Sequence, residues 1–191
     1  MRVIAGKFRS RRLRSLPGLD LRPTADRLRE TMFNVLTAGT PAALEGTVWL
    51  DLFAGTGAVG IEAISRGASL VYFAESAASA AKLIKQNLTS LGVGTGFQIL
   101  AQDTVRALRE LEANGAVADF VFIDPPYAME KAYRQTLETL SKSRLLKNGS
   151  IVIAEHQKQF DPGEGFELLS RYRKLVQGDA ALSFYRMVRA Q

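Results

Sequence analysis

Five short apolar runs, four of them followed by a loop and a helix, leave this chain little choice of architecture. They are "VWLDLFA" (48–54), "SLVYFAE" (69–75), "FQILAQD" (97–103), "DFVFID" (119–124) and "GSIVIAEH" (149–156). Between them lie helical stretches: "GAVGIEAISRG", "AASAAKLIKQNLTSLG", "TVRALRELEANG" and a segment from about Met129 to Ser141. The runs are apolar throughout rather than alternating, as expected of strands covered on both faces. Strand and helix in alternation imply a parallel sheet joined by right-handed crossovers. The rhythm stops after the fifth run. "FELLSRYRKLV" and "ALSFYRMVR" are separated only by "QGDA", with no room for a helix, so they are expected to form an antiparallel hairpin. A further helix, Ala25 to about Ala38, precedes the first strand, and Thr24 can cap it.

The first strand leads into "DLFAGTGAVG". Gly55, Gly57 and Gly60 form a G-x-G-x-x-G that opens a helix, a pattern that lets the backbone approach a nucleotide closely. Glu75 ends the second strand, where a carboxylate can hold the two hydroxyls of a ribose. Asp51 sits inside the first strand, four residues before Gly55, and can reach past the loop toward a positive ligand end. Asp103 follows the third strand, where an acid can accept from an adenine amine. Acids around the loop repel a pyrophosphate and suit a cationic nucleoside such as S-adenosylmethionine.

The fourth strand ends in "DPPY". Asp124 falls at the carboxyl edge of the sheet, beside the glycine loop. Pro125 and Pro126 have no N–H, so they offer only carbonyls on a stiff path. Tyr127 adds a flat face. Acceptors plus a stacking ring suit a planar group bearing an NH₂, such as a nucleobase. The lone pair of such an amine is delocalised into its ring. Accepting both its hydrogens, on Asp124 and the Pro125 carbonyl, aims that lone pair and stabilises positive charge growing on nitrogen. His156, at the end of the fifth strand, reads as a hydrogen-bonded structural residue.

Charge is concentrated at one end. Residues 1–30 hold nine basic side chains against three acidic ones, the whole net charge of +6, and the remaining 161 residues balance 16 against 16. "RVIAGKFRSRRLRSL" reads as short strands around Gly6 with arginines outside. A basic block on a neutral body suits a polyanion, or is a solvated tail. The absence of cysteine and the single histidine exclude disulfides and, in effect, Cys/His zinc sites. No apolar run approaches the roughly 18 residues of a membrane span and none follows the basic start, so a cytoplasmic protein without a secretory signal is expected.

"DLFAGTGAVGIEA" resembles the first motif of class I S-adenosylmethionine methyltransferases, and D-P-P-Y resembles the [DN]-P-P-[YFW] of amino-group N-methyltransferases. "IAGKFRSRRL", "RPTADRLRETMFNVL", "FIDPPY" and "GDAALSFYR" occur in the order seen in the bacterial 16S rRNA guanine-N2 methyltransferase family, over nearly the whole chain. The resemblance implies a Rossmann-like α/β fold. Its sheet would have seven mostly parallel strands, an inserted antiparallel last strand and a small basic N-terminal β-extension. It implies a basic RNA-binding extension over residues 1–22 and a methyltransferase domain over 23–191. It further implies methylation of guanine N2 in small-subunit rRNA, within an assembling 30S particle, by a monomer without metal. The implied cofactor contacts are Arg22, Thr24, Asp51, Phe53, Gly55, Gly57, Gly60, Glu75 and Asp103. The implied catalytic set is Asp124, Pro125, Pro126 and Tyr127, and the RNA contacts are Lys7, Arg9, Arg11, Arg12, Arg14 and Arg27. Arg27 or Arg29 meets phosphate, or pairs with Glu30 or Asp26. The chain departs from the family in the small "SAASAA" after Glu75 and in lacking a tyrosine before Gly178. Other readings are a DNA adenine-N6 or protein glutamine-N5 methyltransferase, an inactive RNA-binding module, or a dinucleotide oxidoreductase, which would leave D-P-P-Y unexplained.

Overall fold

The computed structural model describes residues 1–15 and 23–188, the side chains of 23–25 excepted. The elements of the parallel half are α1 (Pro23–Leu36), β1 (Val48–Leu52), α2 (Ala58–Ser65), β2 (Leu70–Ala74), α3 (Ala78–Ser90), β3 (Phe97–Leu100), α4 (Thr104–Ala113), β4 (Ala118–Ile123) and α5 (Glu130–Lys142). β5 (Leu146–Gln157), β6 (Gly165–Phe166), β7 (Leu169–Gln177) and β8 (Ala180–Met187) complete one sheet, ordered β3-β2-β1-β4-β5-β8-β7-β6. β1 to β5 are parallel, and β8 inserts antiparallel between β5 and β7.

The sheet has eight strands where seven were expected. Glu167, at φ 32°, turns the chain so that Phe166 pairs with Leu169 and Gly165 with Ser170. The run read as one strand is thereby split into β6 and β7.

Helices cover both faces, which is why the strands are apolar throughout. On one face Leu28, Met32 and Phe33 of α1, Ile61 of α2, and Ile84 and Leu88 of α3 pack on the sheet. Trp49 lies between Phe33 and Phe120, with ring centroids 5.3 and 4.7 Å away. On the other face α4 and α5 contribute Leu108, Leu111, Leu137 and Leu140.

The N-terminal segment departs from the expected pair of strands. It makes one antiparallel bridge, Arg2 with Arg12, around a 3-10 turn at Gly6–Phe8. The reason is where its donors go. Ile4 and Ala5 N–H donate to the fully buried Glu62 carboxylate at 2.7 and 2.9 Å, and Phe8 N–H to Ser65 Oγ at 2.9 Å. These N–H groups are engaged by α2 and cannot build a ladder. Gly6 sits against Ser65, where a Cβ would fall 1.9 Å from the Ser65 carbonyl oxygen. With Val3 and Leu13 buried, residues 1–15 are a fitted layer of the domain rather than a free tail.

Candidate active site

The strand order sets the carboxyl ends of β3, β2, β1, β4 and β5 side by side. On them stand Asp103, Glu75, the loop 53–57, Asp124 and Glu155, in that order. β1 lies where the order reverses, the usual ligand crevice of an open α/β sheet.

The loop is built to be tight. Phe53, Gly55 and Gly57 have φ of 62°, 54° and 77°, and a phenylalanine in that region is strained. Glu75 holds the loop from the neighbouring strand: its Oε2 accepts from Gly55 N–H and its Oε1 from Ala77 N–H, each at 2.8 Å. Gly60 is helical, and its value is closeness. A Cβ there would lie 2.3 Å from Phe73 Cε1. Its N–H donates to Asp51 Oδ2 at 2.8 Å. Asp51 is therefore buried under the start of α2 rather than extended past the loop. Asp103 caps α4 by accepting from Arg106 N–H at 3.1 Å, and its side chain is exposed.

At the end of β4, Asp124 is half-buried, Pro125 buried, Pro126 exposed and the Tyr127 ring 39% exposed. The Pro126 carbonyl is used: Met129 N–H donates to it at 2.7 Å. The Pro125 carbonyl lies 3.4 Å from Tyr133 Oη, whose short hydrogen bond goes instead to the Glu155 carbonyl at 2.7 Å. Asp124 and the Pro125 carbonyl are thus the acceptors left for a ligand. His156 is fully buried between Ser183 Oγ (2.9 Å) and the Gln157 carbonyl (2.8 Å), the structural role expected of it.

The electrostatics are one-sided. Burial pushes Asp51 up to about 8 against the pull of the Gly60 N–H, with Asp124 and Glu75 adding repulsion. Burial also pushes Asp124 up, to about 7. Glu155 is raised well above its ordinary value by burial and by Asp124. Arg29 is the cation that opposes these shifts at Asp51 and Glu155. Acids crowded at strand ends, opposed among the described residues by the Arg29 guanidinium, form a trap for a positively charged ligand.

Arg29 settles one open reading. It is 5% exposed and its Nη2 donates to Asp26 at 3.0 Å and to the Arg2 carbonyl at 2.7 Å, so it pairs with Asp26 rather than facing a phosphate. Its buried Nε has no hydrogen-bond partner. Arg27, Lys7, Arg9, Arg11, Arg12 and Arg14 are all exposed. Among the described residues, none of these six has a carboxylate within salt-bridge distance. Arg22 and the Thr24 side chain lie outside the described residues. Sequence reasoning missed Glu155, although an acid closing an apolar strand is the same signal that marks Asp124.

A doubly wound sheet with an inserted antiparallel last strand, a glycine loop after β1 and acids at the strand ends define the class I methyltransferase fold. Residues 1–186 match the family described as Conserved hypothetical protein 95. The chain is 35% identical over 159 residues to ribosomal RNA small subunit methyltransferase D of Haemophilus influenzae, covering 83% of this chain and 79% of that one. It is 30% identical over 186 residues to the protein of the same name from Escherichia coli K12, covering 97% and 89%. A solved structure from Escherichia coli, 29% identical, superposes over 98% of this chain and 97% of its own with a TM-score of 0.81. The chain belongs to this bacterial small-subunit rRNA methyltransferase family.

Proposed function

We propose that the protein methylates the exocyclic N2 amine of a guanine in small-subunit rRNA, using S-adenosylmethionine, within an assembling 30S particle. The observation that carries this reading is Asp124 beside the Pro125 carbonyl and the exposed Tyr127 ring, at the carboxyl end of β4 next to the acidic glycine loop. The names of the relatives support an rRNA substrate.

The residues present fit the cofactor. Asp51 is buried with its charge opposed by burial and by neighbouring acids, a penalty that a cationic ligand cancels. Each Glu75 oxygen accepts one backbone N–H and keeps a second lone pair for a ribose hydroxyl. The exposed Asp103 offers its other oxygen to an adenine amine. When bound, S-adenosylmethionine supplies an electrophilic methyl group on a positively charged sulfur.

The chain's own part is orientation. Asp124 and the Pro125 carbonyl accept the two amine hydrogens, so the nitrogen lone pair is aimed rather than spread into the base. Positive charge growing on that nitrogen is met by the same oxygens. A carboxylate with pKa near 7 is also suited to receive the proton the amine gives up. Tyr127 stacks on the base. The arginines of residues 1–14 grip the RNA backbone.

Asp124→Ala is the direct test. It is expected to lower the methyl-transfer rate by at least about 100-fold. S-adenosylmethionine affinity, read by calorimetry, should stay close to that of the wild type. Unchanged turnover removes Asp124 from the chemistry.

A further inference from the structure

A second surface stands apart by charge and by shape. Residues 168–188 carry Arg171, Arg173, Lys174 and Arg186 against Asp179 alone. Two of these cations are neutralised from the loop before β6: Arg171 lies 2.7 Å and Lys174 3.1 Å from Asp161. Arg173 and Arg186 form no ion pair among the described residues. Beside them stands Tyr172, 42% exposed.

The local cause is a β-bulge. Arg171 pairs with Tyr185 and Arg173 with Phe184, so Tyr172 is an extra residue on β7. In a regular strand neighbouring side chains point to opposite faces, and Tyr172 would be separated from Arg173. The bulge re-aims it onto the Phe184 side. Its ring centroid lies 6.2 Å from that of Phe184, and the Arg186 guanidinium stands over it at 5.4 Å. Arg173, the next residue on β7, pairs with Phe184, two residues before Arg186 on β8, so by strand alternation it belongs to the same face, and both cations oppose the rise that partial burial causes in the Tyr172 phenol pKa. Phe184 packs in the same apolar cluster as Val3, Leu13 and Leu28. The patch and the basic N-terminal segment therefore share one side of the sheet. Arg186 is level with Ile151, four residues before Glu155, which sets the patch about 15–20 Å from Asp124 at ordinary strand spacing.

We infer that Tyr172, Arg173 and Arg186 form a second RNA-binding patch, with an unpaired base stacked on Tyr172 and its flanking phosphates on the two guanidiniums. The inference rests on the proposed rRNA substrate. Charges on an exposed strand also discourage edge pairing, but that role needs no ring and no bulge. A ring beside unpaired guanidiniums is the combination by which proteins hold single-stranded nucleic acid.

The experiment measures binding of the full chain to protein-free small-subunit rRNA and to a labelled 20-nucleotide single-stranded RNA, across a salt series. Tyr172→Leu keeps apolar cover without an aromatic face and is expected to weaken binding about 5- to 100-fold. Tyr172→Phe keeps the face and should bind like the wild type. Arg173→Gln with Arg186→Gln should lower the salt slope by about 0.7 for each phosphate no longer neutralised. S-adenosylmethionine affinity should not move in any of these variants, and each should still melt cooperatively, within a few degrees of the wild type for the lost ring and cation–π contacts.

RNA binding by the leucine and glutamine variants equal to wild type overturns the patch and leaves the proposed reaction standing. Patch-dependent binding by a protein that transfers no methyl group to rRNA supports the patch and overturns the reaction. A wild-type chain that binds neither RNA overturns both.

Discussion

The side-chain amide of Asn87, fully buried on α3, donates to the Thr56 carbonyl of the glycine loop at 3.0 Å and to the Arg14 carbonyl at 3.2 Å. Its Oδ1 accepts from Arg14 N–H at 2.8 Å. One amide thus ties the end of the basic segment to the loop that faces the cofactor. Asn87→Ala leaves the buried Thr56 carbonyl without this donor, at about 1–3 kcal/mol, and releases the part-buried backbone of Arg14. Hydrogen exchange should quicken at Arg14 and across residues 55–57 together, and S-adenosylmethionine affinity should fall. Faster exchange at Arg14 alone would show that the two segments are independent.

Gly60→Ala tests how close α2 must come to the sheet. The added Cβ meets Phe73 and Val71 at 2.3–2.8 Å in a packed core, with no flexible tip to move aside. Overpacking of this kind costs about 1–3 kcal/mol, and a chain of this size loses about 2–4 °C in Tm per kcal/mol. Gly94→Ala, where nothing lies within 4 Å and φ is ordinary, serves as the control and should melt like the wild type. Equal melting temperatures for all three proteins would contradict the close packing.

The acids of the site set a pH dependence. A carboxyl whose folded pKa lies above its unfolded value holds its proton more tightly when folded. Its contribution to stability is therefore full below the ordinary value of 3.8 and is lost as pH climbs to the folded pKa, about 8 for Asp51 and about 7 for Asp124. The ligand-free protein should lose stability on this account between those limits. Asp51→Asn removes the larger of these two losses, so its Tm relative to wild type should rise from pH 4.5 to pH 8, read by thermal melts in matched buffers. S-adenosylmethionine should restore more stability to the wild type at pH 8 than at pH 6. A Tm difference that is flat with pH would show that Asp51 titrates normally.

Much of this arrangement is written locally. Asp51, Glu75 and Asp124 sit at or near the ends of apolar runs, and the glycine spacing fixes the loop between them, so period and position suffice to find them. What lies outside local reading depends on contacts far apart in sequence. Glu62 looks like an exposed residue of α2, yet it is buried because Ile4 and Ala5, more than fifty residues away, donate to it. Arg29 looks like a surface cation until the Arg2 carbonyl covers it. The alternation of the N-terminal segment suggests strands, but its donors are claimed by α2. The eighth strand depends on a positive φ at Glu167, a residue type that does not announce one.

The central claim is tested most directly by incubating the purified protein with tritiated S-adenosylmethionine and small-subunit particles from cells lacking it, then digesting the RNA and identifying the labelled nucleoside. Label is expected in a single guanine, as N2-methylguanine, and is expected to be lost in Asp124→Ala. Label in an adenine, in DNA or in protein, or no label at all, would contradict it.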